Sequence, residues 1–183
     1  MTPISTYYKG FRFRSRLEAR WAICLDFLGW EWEYEPEGYE FSDGTRYLPD
    51  FRLKCAPTMP NNPANVAWAK GPWWIEVKRS DPTALEIDLA RSLSKEGGGC
   101  VAFAIGNPCP YTLGSGLPVV GGISNFEYEK YGVGLTTWFR KRWGHPCYQP
   151  ADEPAVQDVV ACAAATSARF EFGETGPTNW GTV

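Results

Sequence analysis

Two short runs carry charge where a buried strand should not: Tyr47-Leu48-Pro49-Asp50-Phe51 and Trp73-Trp74-Ile75-Glu76-Val77-Lys78. Aromatic and aliphatic residues dominate both, which predicts buried strands. Taking a carboxylate or an ammonium out of water is costly unless it is paired or binds a metal. Residues two apart on a strand share a face, so Glu76 and Lys78 point together, while Trp73, Ile75 and Val77 take the other side. If the strand of Asp50 pairs alongside, two carboxylates and one lysine converge. Such oxygen donors suit a hard divalent cation, with the lysine beside its water.

These residues need elements to hold them. A helix is predicted from about Ser15 to Leu28, stopped by Gly29, with Ser15 as N-cap and Glu18 completing a capping box. Leu17, Trp21, Cys24 and Leu28 form its apolar stripe; Glu18, Ala22 and Leu25 lie on an adjoining stripe. Glu18 thus sits at the edge of the buried face, where capping alone accounts for it. Residues 30–35 alternate strictly: Trp30, Trp32 and Tyr34 face the core, and Glu31, Glu33 and Glu35 form a solvated face. Tyr39-Glu40-Phe41 starts a further strand, and Asp43-Gly44 signals a hairpin turn. A third strand, Arg46 to Leu53, carries Asp50. Pro49 within it predicts an edge or a bulge that aims the carboxylate away from the ladder.

Residues 54–72 hold four prolines and read as a loop. Asp81 then caps a helix with Pro82 at its first position, Leu85, Leu89 and Leu93 form the buried stripe, and Gly97-Gly98-Gly99 ends it. Residues 100–105 form a fully buried strand. Strand, helix and strand make a βαβ unit with a parallel, right-handed crossover. The sum is α/β, with an αβββαβ core of mixed sheet flanked by helices. Residues 106–150 are irregular; 126–129 read as a strand, and residues 138–143 interleave aromatic and basic side chains, as base stacking or a surface amphipathic segment would. His145 has no evident partner. A last helix spans about Pro154 to Phe170, with Val156, Val159, Val160 and Ala163 inward, before a tail at 174–183.

The chain has 183 residues, enough for one domain with a proper core. Its 44% hydrophobic and 15% aromatic content exclude a disordered chain. No apolar run approaches a membrane span, and residues 1–9 lack a signal-peptide apolar region, so the expectation is a cytosolic protein away from membranes. The six cysteines form no CxxC pair and read as free thiols; with one histidine, a structural zinc site is disfavoured. A net charge of −3 argues mildly against nucleic acid. The total hides an asymmetry. In residues 1–20, Lys9, Arg12, Arg14, Arg16 and Arg20 against Glu18 leave +4; residues 151–183 carry −4. A local basic face binds phosphates even on an acidic protein.

The pattern Pro49-Asp50 followed by Glu76-Val77-Lys78 resembles the PD-(D/E)XK nuclease superfamily. More specifically, the chain is similar to a phage and bacterial group within it, through Phe13-Arg14-Ser15-Arg16-Leu17-Glu18-Ala19-Arg20-Trp21-Ala22, Trp32-Glu33-Tyr34-Glu35-Pro36-Glu37-Gly38, Asp43 to Phe51 and Trp74 to Lys78. The similarity covers about residues 8–106 and thins beyond, apart from Ala168 to Glu174. It implies a restriction-endonuclease-like fold in a single nuclease domain over 1–183: a core at about 8–106, an irregular stretch at 107–150 and a C-terminal helix at 151–173. It implies that Asp50 and Glu76 ligate Mg²⁺ or Mn²⁺, with the Val77 carbonyl as a further ligand, and it gives the helix-borne Glu18 a part in metal binding. Lys78 would position and activate the attacking water. Arg14, Ser15 and Arg16, with Lys9 or Arg12, would contact neighbouring DNA phosphates. The expected reaction is metal-dependent hydrolysis of DNA phosphodiester bonds, in recombination, repair or DNA processing in a bacterial cell or phage-infected host. Branched DNA is one substrate version. A binding protein that keeps the fold without the activity is a competing class; so are RNA hydrolysis and a transposase-like subunit that needs a partner. Symmetric cutting of two strands calls for a homodimer, and no residue pattern marks an interface.

Overall fold

The computed structural model describes residues 6–54, 72–109, 119–121 and 156–170. They form a mixed α/β arrangement. Strands β1 (Thr6–Tyr8) and β2 (Phe11–Phe13) precede helix α1 (Arg16–Phe27). Then come β3 (Trp32–Tyr34), β4 (Tyr39–Glu40), β5 (Arg46–Tyr47), β6 (Phe51–Leu53) and β7 (Trp73–Lys78). Helix α2 (Ala84–Gly97), β8 (Cys100–Ile105), β9 (Val119–Gly121) and α3 (Val156–Ser167) complete the set. The main sheet has the order β3-β6-β7-β8-β9. Only β7 and β8 run parallel, on either side of the α2 crossover, as a βαβ unit requires. β1-β2 and β4-β5 are separate two-stranded ladders. Among main-sheet strands as far as β8, the chain order is therefore α-β-β-β-α-β.

Period-two alternation divides the sheet between two cores. Phe51, Leu53, Trp73, Ile75, Cys100, Ala102 and Ala104 pack with α1, α3 and the β1-β2 hairpin. Trp74, Val101 and Phe103 pack on the opposite side with Ala90 and Leu93 of α2 and with Phe41. The two helices on the first side meet through small residues, Ala19 and Ala22 on α1 and Ala161 and Ala165 on α3, all fully buried.

Several expectations are corrected. Residues 6–13, to which the sequence assigned no element, form a hairpin closed by Lys9 and Gly10 at φ 48° and 83°, the paired positive values of a type I′ turn. The strand expected over Arg46–Leu53 is two strands, β5 and β6, broken at Leu48–Asp50. Pro49 marks the break, and β6 is an interior strand, not an edge. Thr83 rather than Asp81 caps α2, in a complete capping box with Glu86. Of the expected stripe, Leu93 is buried and Leu89 packs against the core, while Leu85 is 69% exposed and Ala90 and Ser94 complete the inner face. At the end of α2, a Cβ on Gly99 would stand 2.0 Å from the Pro72 carbonyl oxygen, so only glycine fits. On α3, Val159 and Val160 are exposed, and so is Ala163; Ala161, Cys162, Ala164 and Ala165 point inward instead. The alanines win the buried face because small side chains allow α3 to approach α1. Strand β9 falls inside the stretch expected to be irregular. Residues 126–129, 138–143, His145, most of the 54–72 loop and the tail lie outside the described residues. Cys24, Cys100, Cys109 and Cys162 are free thiols.

Candidate functional site

The candidate site lies where the β6-β7 ladder ends. Phe51 is the last β6 residue in register, opposite Ile75. Asp50 comes next, opposite Glu76. Its main chain bends as it enters β6; the carbonyl accepts from Glu35 N at 2.9 Å, and the N–H donates to Glu76 Oε1 at 3.3 Å. Pro49 follows towards the N-terminus and has no N–H to continue the ladder. The Asp50 carboxylate stands where a strand carbonyl would accept, its Oδ2 accepting from Val77 N at 2.7 Å. It therefore turns towards the ladder, not away from it as a bulge would aim it. The Val77 N–H thus holds the Asp50 carboxylate at the end of the ladder.

Asp50 and Glu76 are both buried, at 6% and 2% exposure, on an interior edge where water cannot screen them. Burial and the negative charges of Glu76 and, less, Glu18 push the Asp50 carboxyl up to about 7; the Val77 N–H and Arg14 pull the other way. Lys78 Nζ lies 3.1 Å from Glu76 Oε2 and 3.1 Å from Glu86 Oε1 at the start of α2. Burial lowers the Lys78 pKa, but the charge and hydrogen bond of Glu76, with Glu86, outweigh it and raise it overall. Lys78 is thus held as an ammonium. The Tyr47 phenol borders the same pair, and burial together with Glu76 raises its pKa, keeping it protonated.

Glu18 is buried on the opposite face of the sheet, in the α1 core. Ser15 Oγ donates to its Oε1 at 2.7 Å, and Tyr34 Oη and Arg14 N donate to its Oε2 at 2.6 and 3.2 Å. Ser15 caps α1 as expected, accepting from Glu18 N at 3.1 Å. Its hydroxyl is committed to Glu18 in both directions. Arg14 joins the two faces. Its Nη2 reaches Asp50 Oδ1 at 2.5 Å, and its Nε pairs with Glu35 at 2.5 Å. Arg14 is therefore engaged with carboxylates where phosphates were expected. Lys9 pairs with Asp26 at 2.8 Å, near the far end of α1. At 1.5 Å per residue that is about 16 Å from Ser15, so Lys9 is outside the site. Arg12 and Arg16 are exposed. The acidic face of β3 is paired rather than bare, with Glu33 at 3.0 Å from Arg52.

Tyr34, Tyr47, Glu35 and Glu86 are the site residues that sequence reasoning missed. Glu86 had a signal: Thr-x-x-Glu, here Thr83 to Glu86, is a capping box, which fixes that glutamate beside the preceding strand. The tyrosines had none, since a core strand and a second-layer donor share one pattern.

A hard divalent cation was expected here. Among the described residues, no group of three or more His, Cys, Asp or Glu is arranged to hold a metal ion. The negative charge of Glu18 also reaches Asp50 and helps raise it, while the Glu18 oxygens accept from Ser15, Tyr34 and Arg14 N. Asp50 and Glu76 alone are nevertheless a fitting donor set. Burial first, and then the repulsion from Glu76, raise the Asp50 pKa, and a cation between the two carboxylates would relieve both. Mg²⁺ commonly takes only one or two carboxylates and fills its shell with water and phosphate oxygens.

Comparisons with protein-family models, with curated proteins and with solved structures found no match to this chain. Among the described residues, no helix is long and apolar enough to cross a membrane.

Proposed function

We propose that this chain is a metal-dependent DNA endonuclease of the PD-(D/E)XK type, with a restriction-endonuclease-like core and with Mg²⁺ or Mn²⁺ held by Asp50 and Glu76. The observation that carries this reading is the convergence of Asp50, Glu76 and Lys78 at one buried break in the sheet. The α-β-β-β-α-β order of main-sheet strands and helices supports the same reading. A cation bound there polarises a phosphate and lowers the pKa of its water.

The chain's own residues do the rest. Val77 N–H fixes one Asp50 oxygen, so the carboxylate cannot rotate. Asp50 N–H fixes Glu76. Lys78, kept charged between Glu76 and Glu86, holds its proton and offsets charge developing on the phosphate; it orients water and is not the base. Arg14 exchanges Asp50 Oδ1 for a phosphate oxygen when DNA arrives, which frees that carboxylate oxygen. Glu18 positions Arg14 through its main-chain N–H and does not bind the metal directly.

One observation favours a second reading, a nucleic-acid-binding protein without activity: both Asp50 oxygens already have partners, Arg14 and Val77. Cleavage of labelled single-stranded, duplex, flap and four-way-junction DNA separates the two. With Mg²⁺ or Mn²⁺, cleavage by wild type and none by a folded Asp50→Asn is the expected result. Binding without cleavage under either metal leaves the second reading.

A further inference from the structure

A cleft of about 330 Å³ opens between the start of α1 and the end of α3, lined by Arg16, Arg20, Thr166, Ser167 and Arg169 among others. None of the described residues lining it is acidic. Arg16 and Arg20 are four apart, so they share one face of α1. Arg20 Nη1 donates to Asn107 Oδ1 at 2.8 Å, while its buried Nε has no hydrogen-bond partner. A buried guanidinium N–H without an acceptor is unfavourable. The placement is also unfavourable for the helix. The start of α1 carries about half a positive charge, and Arg16 adds to it. The end of α3 offers about half a negative charge, short of the guanidiniums of Arg20 and Arg169. None of the described residues lining the cleft offsets these two charges, and an anion would.

We infer that the cleft binds a phosphate of the nucleic-acid strand, with Arg20 and Arg169 as its principal ligands. The inference rests on the nuclease reading for the identity of the strand. Guanidinium forks match phosphate oxygens in pairs. The volume equals that of roughly ten waters, room for a phosphate with part of its sugar. The Thr166 and Ser167 hydroxyls donate back to the Cys162 and Ala164 carbonyls at 2.8 and 3.2 Å, so the arginines carry the binding. Arg16 is two residues from Arg14, at most about 7 Å of chain, and Arg14 touches Asp50. A strand lying in the cleft therefore leads along the start of α1 to the Asp50–Glu76 pair.

The test measures affinity of the full chain for a labelled duplex, with chelator present and over a range of salt. The duplex carries 5′-phosphate ends in one arm and 5′-hydroxyl ends in the other. In Arg20→Gln/Arg169→Gln, binding weakens about tenfold, and the slope of log affinity against log salt falls by about 1 per arginine lost. Arg20→Lys/Arg169→Lys recovers most of the slope. Equal losses in both arms assign an internal phosphodiester; a loss confined to the phosphorylated ends assigns a terminal phosphate. An unchanged slope overturns the inference, as does a wild-type chain that binds no DNA. A melting temperature lowered alike in chloride and in inorganic phosphate, with the slope unchanged, leaves the arginines serving only the end of α3. Cleavage by wild type with an unaffected slope in the variant removes the cleft and keeps the nuclease. Binding that depends on Arg20 and Arg169 in a chain that never cleaves does the reverse.

Discussion

Glu18 and Glu76 are both buried glutamates, yet the two faces of the sheet treat them differently. Glu18 meets three donors and no second carboxylate in contact: Ser15, Tyr34 and the Arg14 main chain surround it. Glu76 lies beside Asp50, whose carboxyl is pushed up to about 7, with Lys78 as its main compensation. A satisfied carboxylate holds structure. A crowded pair holds a proton or a cation in exchange, and that is where chemistry is expected.

The largest effect separates these roles by activity. Asp50→Asn and Lys78→Ala are each expected to lower DNA cleavage by about 10²-fold or more, with circular dichroism unchanged. Glu18→Gln is expected to lower it less than tenfold. Wild-type rates in either folded Asp50 or Lys78 variant would break the contrast.

The next effect is on stability and runs the other way. Glu18→Gln leaves at least one of its donors facing an amide N–H, and is expected to cost about 1–3 kcal/mol in urea unfolding. Asp50→Asn costs less, because it also removes the repulsion with Glu76. Equal losses would mean that the two faces are not distinct.

Acid–base behaviour sharpens the same point. The Asp50 carboxyl titrates near 7 in the folded chain, against about 4 unfolded. The folded state keeps the proton longer, so this group favours folding most below about pH 4, and that contribution is lost as pH rises through 7. Metal-free wild type should therefore lose up to about 4 kcal/mol relative to Asp50→Asn between pH 4 and 8, read by thermal melts with chelator. A wild type that gains on the variant over that range would contradict the burial of two charges.

Much of this was legible in the sequence, and the limits have physical causes. Strand periodicity puts Glu76 and Lys78 on one face whatever the fold, so their 3.1 Å contact follows directly. Helical periodicity places Glu18 on the inner side of α1, but not on which face of the sheet α1 packs, so a shared shell with Glu76 was not readable. Pro49 reads as an edge or a bulge in the sequence; a break between two strands, with a carboxylate accepting in place of a backbone carbonyl, leaves the same mark. Leu85 reads inward from its i, i+4 spacing to Leu89 and Leu93, but each such step drifts about 40° around a helix, so Leu93 and Leu89 reach the core while Leu85 does not.

The smallest effect tests the start of α2. Thr83 holds Glu86 in the capping box while Glu86 Oε1 meets Lys78. Thr83→Ala should cost about 1 kcal/mol by thermal unfolding and lower cleavage only slightly. A loss as large as that of Lys78→Ala would make Glu86 a direct participant and extend the crowded face to α2.

The most direct test of the central claim is calorimetric titration of Mn²⁺ into the metal-free chain, comparing wild type, Glu76→Gln and Glu18→Gln. The account predicts binding by wild type and by Glu18→Gln with affinities within a few fold, and none by Glu76→Gln. Binding that survives in Glu76→Gln and disappears in Glu18→Gln would contradict it and move the metal to the other face of the sheet.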